Sequence, residues 1–318
     1  MNILILTKMK PSPSILTEMK EVAPEAKINQ VENWKEAGKL LEDAEIIIST
    51  RGDFPQEALK LAKNLKWVHS LMVGVETFLY PEFKERGIIL TNPRGAADVG
   101  VSEHTFALML AWTRAMDKSI KNQVQRTWER TPVTHMTGKT IGIIGLGSIG
   151  REVARKAKEV FKMRVIATKR RVGEENHVDV LLQPKDVDEL LTQSDYIVVA
   201  AAMTEETRKL LSVDEFKKMK PNAFVVNIAR GPIIDEQALI TALQEKWIAG
   251  AGLDVFEAEP LPVDSPLWDM ENVIITPHMA GFSGKSLADL RIGVFNENLR
   301  HYLRGASLPT EVNQIIGY

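Results

Sequence analysis

The sequence predicts an α/β protein made of two doubly wound parallel-sheet domains. Three observations carry that expectation. The chain has 318 residues, and domains usually run to about 100–200 residues. Short runs that are apolar on both faces alternate with amphipathic segments, as strands do when helices cover both sides of a sheet. The alternation restarts after Thr137, so each half can build its own sheet.

In the first half, strands are expected at Asn2–Leu6, Glu45–Ser49, Lys66–Leu71 and Ile88–Thr91, with a weaker one at Lys27–Val31. Helix-like segments fall between them at Asn33–Leu41, Pro55–Lys63 and Pro81–Arg86. Phe106–Trp112 is apolar at every position and reads as a buried helix joining the halves. Six further strands are expected at Thr140–Leu146, Met163–Thr168, Asp195–Ala201, Ala223–Ile228, Ala249–Asp254 and Val273–Thr276. Among the helices between them, one opens at Ser212 with Glu215 three residues on, a capping-box spacing. Six strands suffice for a complete dinucleotide-binding sheet. The expected domains are 1–97 completed by 286–318, and 98–285.

Composition excludes several classes. Apolar residues make up 44% and charged residues 26%, as in ordinary globular proteins. Forty basic against 42 acidic side chains give a net charge of −2, which offers no basic face for nucleic acid. With no cysteine there is no disulfide, thiolate metal site or cysteine nucleophile, and the composition suits a reducing cytosol. Lys8 and Lys10 interrupt the N-terminal apolar run, so no signal peptide is expected. No window approaches the ~18–20 apolar residues of a membrane span. The expectation is a soluble, cytoplasmic protein.

The sharpest motif is GxGxxG at Gly145, Gly147 and Gly150, placed between a strand candidate and the helical pattern Arg151–Val160. In that context Gly145 permits a tight turn, and Gly147 lets the backbone approach a pyrophosphate. Gly150 lets helix and strand pack closely. The amides of Ser148 and Ile149 open the helix, where orphan N–H groups and the dipole bind phosphate.

A dinucleotide fingerprint usually has a carboxylate about 20 residues further on, bonding the ribose hydroxyls. Here the position holds Lys169, within Thr168-Lys169-Arg170-Arg171. Three successive cations suit a 2′-phosphate, so NADP(H) is expected as the preferred cofactor and NAD(H) as the alternative. The bland reading of the turn is a solvated basic surface.

Three more segments each follow a strand candidate: Asn227–Gly231, Leu253–Pro260 and Thr276–Gly281. All should lie at the carboxyl edge of the sheet, where open α/β folds bind ligands. Arg230 offers a planar fork to a carboxylate. His278 can exchange a proton with a carbonyl or hydroxyl oxygen. A carboxylate beside that ring would orient it and favour its protonated form. Singly, each residue reads as a cap or salt bridge. Together, beside a nucleotide motif, they suit 2-oxo acid reduction.

GLGSIG, VVNIARGPIIDEQAL, GAGLDVFEAEPLP and NVIITPHMAG resemble the motifs of the D-2-hydroxyacid dehydrogenases, in their NADP-type, glyoxylate/hydroxypyruvate reductase-like form. LKWVHSLMVGVETF, GIILTNPRGAADVGVSEHTFALMLA and MTGKTIGIIGLGSIG extend the resemblance back to about Ala44, in order. It implies a Rossmann cofactor domain and a smaller flavodoxin-like substrate domain. It gives Arg230 the substrate carboxylate and carbonyl, His278 the acid/base role, and Glu259 the pairing with His278. Asp254 would contact the nicotinamide carboxamide, and the backbone of Val73 and Gly74, beside Met72, the substrate carboxylate. The expected cofactor set is completed by Thr168, Ala201, Ile228 and Gly281. The resemblance also implies a last helix over roughly Lys285–Leu303 that returns to the smaller domain, and a homodimer formed through the cofactor domain.

The chain departs from the family pattern at Lys169, where an acidic residue is usual, and at Ala202, where proline is usual. Glu76 stands where aspartate or asparagine is common, with no role assigned. The end at Tyr318 argues against the longer allosteric phosphoglycerate dehydrogenases. Of the other histidines, His69 reads as a core residue and His104 as a helix-terminus residue, with His135, His177 and His301 exposed. No HxxxH pair is present, so no metal is expected.

The expected function is reduction of a small 2-oxo acid to the D-2-hydroxy acid by hydride transfer from NADPH. An NAD-dependent phosphoglycerate or formate dehydrogenase-like enzyme is one alternative. A nucleotide-sensing relative without turnover is the other. A phosphorylated substrate would need cations in the smaller domain, where Arg51 and Arg94 are the candidates.

Overall fold

A computed structural model describes the chain apart from residues 76–77, 172, 283–286 and 315–318. Glu76 therefore lies outside the described residues. The fold is α/β with two parallel sheets, in two compact units: Met1–Ala97 with Ser283–Tyr318, and Asp98–Phe282.

The first unit runs β1 (Asn2–Leu6), α1 (Pro13–Val22), β2 (Lys27–Val31), α2 (Trp34–Ala37), α3 (Lys39–Asp43), β3 (Ile46–Ser49), α4 (Gln56–Leu61), β4 (Trp67–Ser70), α5 (Pro81–Glu85) and β5 (Ile89–Thr91). Its five strands are ordered β2-β1-β3-β4-β5, all parallel. Side chains alternate across the pleat. Leu4, Leu6, Ile47 and Val68 face a core with Phe54, Phe78 and Phe83. Ile3, Ile5, Ile46, Ile48 and Trp67 face the other side. The helix expected over Asn33–Leu41 is two short ones, because Gly38 adopts φ = 49° and breaks the helical path.

The second unit opens with α6 (Asp98–Thr113) and α7 (Met116–Val124), then β6 (Thr140–Ile144), α8 (Ser148–Glu159), β7 (Arg164–Thr168), β8 (Val180–Leu182), α9 (Val187–Gln193), β9 (Tyr196–Val199), α10 (Val213–Lys218), β10 (Phe224–Asn227), α11 (Glu236–Gln244), β11 (Gly250–Leu253) and β12 (Val273–Ile275). Seven parallel strands are ordered β12-β11-β10-β9-β6-β7-β8. The seventh, β8, was not expected: it is a three-residue edge strand, half-buried throughout, too short to show a period. The capping box at Ser212 forms, with its amide donating to Glu215 at 3.1 Å. The expectation of a wholly buried helix over Phe106–Trp112 is corrected: Phe106, Leu108 and Met109 are buried, but Ala107 and Leu110 face out. α7 is more open still. Met116, Ile120 and Val124 are exposed four residues apart, and Trp128 beyond them is 98% exposed.

The last helix, α12 (Leu287–Leu303), belongs to the first unit and packs Ile292, Phe295 and Leu299 into the core around Met19. Its expected start at Lys285 lies outside the described residues. Among the described residues no helix is long and apolar enough to cross a membrane, and no group of side chains could hold a metal.

Candidate active site

The glycine motif fills the turn from β6 to α8. Gly145 has φ = 97°, and a Cβ there would lie 2.5 Å from the Ala201 Cα, so the position requires glycine opposite a small residue. A Cβ on Gly150 would lie 2.4 Å from the Gly145 carbonyl oxygen, while one on Gly147 would meet nothing within 4 Å. The loop is pinned by Thr168, whose hydroxyl accepts from the Gly145 amide at 3.2 Å and whose carbonyl accepts from Leu146 at 2.9 Å. Gly147 caps α8, whose Arg151 amide donates to the Gly147 carbonyl at 3.0 Å. The amides of Ser148, Ile149 and Gly150 precede that bond at the positive end of the helix dipole. The Ser148 hydroxyl is turned to Asp98, 3.0 Å away. This cradle fits a pyrophosphate.

The basic turn is more structured than its sequence suggests. Glu175, five residues past Arg170, ion-pairs with Lys169 and takes a bidentate pair of 2.9 Å bonds from Arg151. Arg151 and Lys169 together hold the Glu175 carboxyl down at about 2, so it stays ionised. Arg170 and Arg171 are exposed. The turn therefore keeps a positive excess, with Lys169 and Arg151 fixed around one buttressing carboxylate.

The three expected catalytic side chains follow β10, β11 and β12, whose ends are in register through Asn227, Leu253 and Ile275. Glu259 Oε2 lies 2.6 Å from His278 Nδ1, and Oε1 accepts from the Phe256 amide at 3.0 Å. Since a carboxylate can only accept, that bond places a proton on Nδ1. His278 is about half exposed and holds φ = 50°, a left-handed conformation uncommon outside glycine. Arg230 is half-buried, with Nη1 donating to the Ala229 carbonyl at 2.7 Å. Its loop is braced by Asn227, whose amide group donates to the Arg230 carbonyl at 3.0 Å and accepts from Ala229 at 3.1 Å. Gly231 lets that loop approach β11's exit: a Cβ there would overlap the Phe256 carbonyl.

Asp254 is buried beneath the histidine loop. It accepts from the Thr276 hydroxyl at 2.6 Å and from the Met279 and Ala280 amides at 2.9 Å each. Burial raises its pKa, but His104, Thr276 and the two amides outweigh burial and the net shift is downward. His104 Nε2 lies 2.9 Å from Thr276 Oγ1 and 3.4 Å from Asp254. His104 was expected to serve its helix terminus, yet its ring instead braces the loop carrying His278. The His104 link has no sequence signature, since it joins segments 172 residues apart, whereas the Asn227 brace is local, reaching only two and three residues on. Ile228 is buried, while Ala201 and Gly281 are half-buried at the same strand ends. Ala202 is exposed, and its carbonyl accepts from Thr207 at 2.8 Å.

In the first unit, Met72, Val73 and Gly74 follow β4 at the carboxyl edge of its sheet. Met72 is exposed and Val73 and Gly74 half-buried. The Ser70 hydroxyl accepts from the Met72 amide at 3.0 Å, and Asn92 donates to the Val73 carbonyl at 2.7 Å. His69 is fully buried, and burial drives its pKa down to about 3, so it is neutral. His135 is exposed; His177 and His301 are half-buried beside Glu159 and Glu297.

Comparison with known proteins matches residues 106–280 to the model of "D-isomer specific 2-hydroxyacid dehydrogenase, NAD binding domain". The chain is 35% identical over 303 residues to a glyoxylate reductase from Pyrococcus furiosus, covering 90% of this chain and 89% of that one. It is 36% identical over 253 residues to glyoxylate/hydroxypyruvate reductase B from Yersinia pestis, covering 78% of each. A solved D-isomer specific 2-hydroxyacid dehydrogenase family protein from Aeromonas salmonicida superposes with a TM-score of 0.86 at 32% identity, over 98% of this chain and 99% of that one.

Proposed function

The chain belongs to the D-isomer specific 2-hydroxyacid dehydrogenase family, and from that premise we propose that it reduces a small 2-oxo acid to the D-2-hydroxy acid with NADPH. It acts on the CH–OH/C=O couple of 2-hydroxy acids. The observation that carries the reading is the 2.6 Å Glu259–His278 pair, aligned with Arg230 on neighbouring strand ends.

The Gly145–Gly150 turn and the start of α8 would hold the cofactor's pyrophosphate, with Lys169 and Arg170 at the 2′-phosphate. Thr168, Arg171, Ala201, Ile228, Asp254 and Gly281 complete its site. When bound, NADPH supplies a hydride for C2 of the oxo acid. Arg230 holds the carboxylate and the carbonyl oxygen, so charge developing on that oxygen meets a guanidinium. His278 donates its Nε2 proton to the same oxygen, completing the hydroxyl group. Glu259 keeps the ring in the donating orientation and stabilises the imidazolium before transfer. The substrate is further assigned to Met72, Val73 and Gly74. The enzyme is read as cytoplasmic on its cysteine-free composition, and as a homodimer on the exposed apolar row of α7.

Mixing the protein with NADPH and glyoxylate or hydroxypyruvate and following nicotinamide absorbance tests the reading. Steady oxidation is expected. Binding of NADPH with no turnover of any 2-oxo acid would favour the sensor reading instead.

A further inference from the structure

Among the described residues, the first unit carries a cation that no carboxylate pairs with. Arg291, in the second turn of α12, is half-buried. Its Nη1 reaches the Met72 sulfur at 3.5 Å and the Met9 sulfur at 4.0 Å. Among the described residues these are the side chain's only polar contacts, and it makes no ion pair there. Thioether sulfur is a weak acceptor, so two methionines do not replace the water the guanidinium has lost. Burial accordingly lowers its pKa. The next carboxylate along α12, Asp289, is committed to the Ser12 amide at 2.8 Å.

The placement is as telling as the missing partner. Met9 follows β1 and Met72 follows β4, both at carboxyl ends of the parallel sheet, where open α/β folds take their ligands. Lys8 and Lys10, on either side of Met9, are exposed and add positive charge. The Arg291 carbonyl is tied to the neutral His69 ring at 3.3 Å, which fixes the helix turn to β4. Arg51 and Arg94 are engaged elsewhere. Arg94 donates to the Pro309 carbonyl at 2.9 Å, and Arg51 lies 5.0 Å over the Tyr80 ring.

We propose that Arg291 is a substrate-recognition residue that binds an anionic tail group, carboxylate or phosphate, at the carboxyl edge of the first unit's sheet. The proposal rests on the functional reading above, in which Met72–Gly74 contacts the substrate. A guanidinium presents a planar fork to two oxygens of either anion. Met9 and Met72, flexible and polarisable, pack against the guanidinium and can repack around carbon chains of different length. Such a site selects 2-oxo acids with an acidic tail over neutral ones of equal length.

Two matched pairs test this with NADPH: 2-oxoglutarate against 2-oxopentanoate, and 3-phosphohydroxypyruvate against hydroxypyruvate. Wild type is expected to favour the charged member of at least one pair, and the preferred pair names the anion. Arg291→Met should lower that charged-to-neutral ratio of kcat/KM about tenfold or more, chiefly through KM. Arg291→Lys should restore part of it. An unchanged ratio, or equal loss on both members, overturns the proposal. If wild type turns over no 2-oxo acid, the functional reading fails instead, and thermal shifts with succinate and inorganic phosphate decide the site. Stabilisation of wild type but not Arg291→Met sustains it, and identical shifts overturn it.

Discussion

His278 has two kinds of support. Glu259 orients its ring, while Asp254 holds the two amides that follow it. Replacing His278 with alanine removes the proposed proton donor without touching the glycine turn or the basic turn. Reduction should fall by about 10²–10⁴, with NADPH affinity by fluorescence titration little changed. Near-normal turnover would take the acid/base role from it. Asp254 makes a different prediction, because its carboxylate is structural in this conformation. Asn at this position keeps one acceptor and turns an NH₂ group toward amides that need an acceptor. About 1–3 kcal/mol should be lost in chemical denaturation at neutral pH. The folded pKa lies below the unfolded one, so the stabilisation is complete above the unfolded value. It disappears as pH falls through the folded value. The stability gap between wild type and Asp254→Asn should therefore narrow in acid, and a gap independent of pH would contradict this account.

At the scale of elements, the glycine turn and the basic turn are expected to separate cofactor affinity from cofactor choice. Gly145→Ala forces a side chain against Ala201 at φ = 97° and should weaken NADPH and NADH alike. Lys169→Asp should weaken NADPH far more than NADH and shrink their ratio, as steady-state kinetics with both cofactors would show. Equal losses with NADPH and NADH in Lys169→Asp would mean that the basic turn does not read the phosphate. α7 predicts an assembly. Ile120→Asp puts a charge in the centre of the apolar row, and sedimentation should show a wild-type dimer shifting toward monomer. A wild-type monomer would contradict the dimer. The strands were largely legible because buried parallel strands are continuous apolar runs, as Ile46–Ser49 and Tyr196–Val199 are. β8 was not, since three half-buried residues carry no period. The break at Gly38 depended on a backbone angle, and the outward face of α6 on packing, neither of which composition fixes. The Glu259–His278 pair was legible through motifs. Glu175 was not, because its role depends on how the chain folds back from residue 171 to meet Arg151 on α8. Arg291 was equally hidden, since its contacts with Met9 and Met72 join segments far apart in sequence.

For the molecule as a whole, the decisive property is which nicotinamide cofactor it uses. Arg151, Lys169, Arg170 and Arg171 outnumber Glu174 and Glu175 around the end of β7, and Glu175 stays ionised at every working pH. A phosphate monoester loses charge below about pH 6, so discrimination should weaken as pH falls through that range, with the protein's side of the contact unchanged. Charge-assisted hydrogen bonds contribute about 1.5–3 kcal/mol each. One such bond in excess of those made to a plain ribose corresponds to about tenfold or more in kcat/KM. The most direct test is kcat/KM of the wild-type protein for NADPH and for NADH, with the same saturating 2-oxo acid at pH 7.5. At least about a tenfold preference for NADPH is expected; equal or better efficiency with NADH would overturn the assignment of the basic turn to the 2′-phosphate.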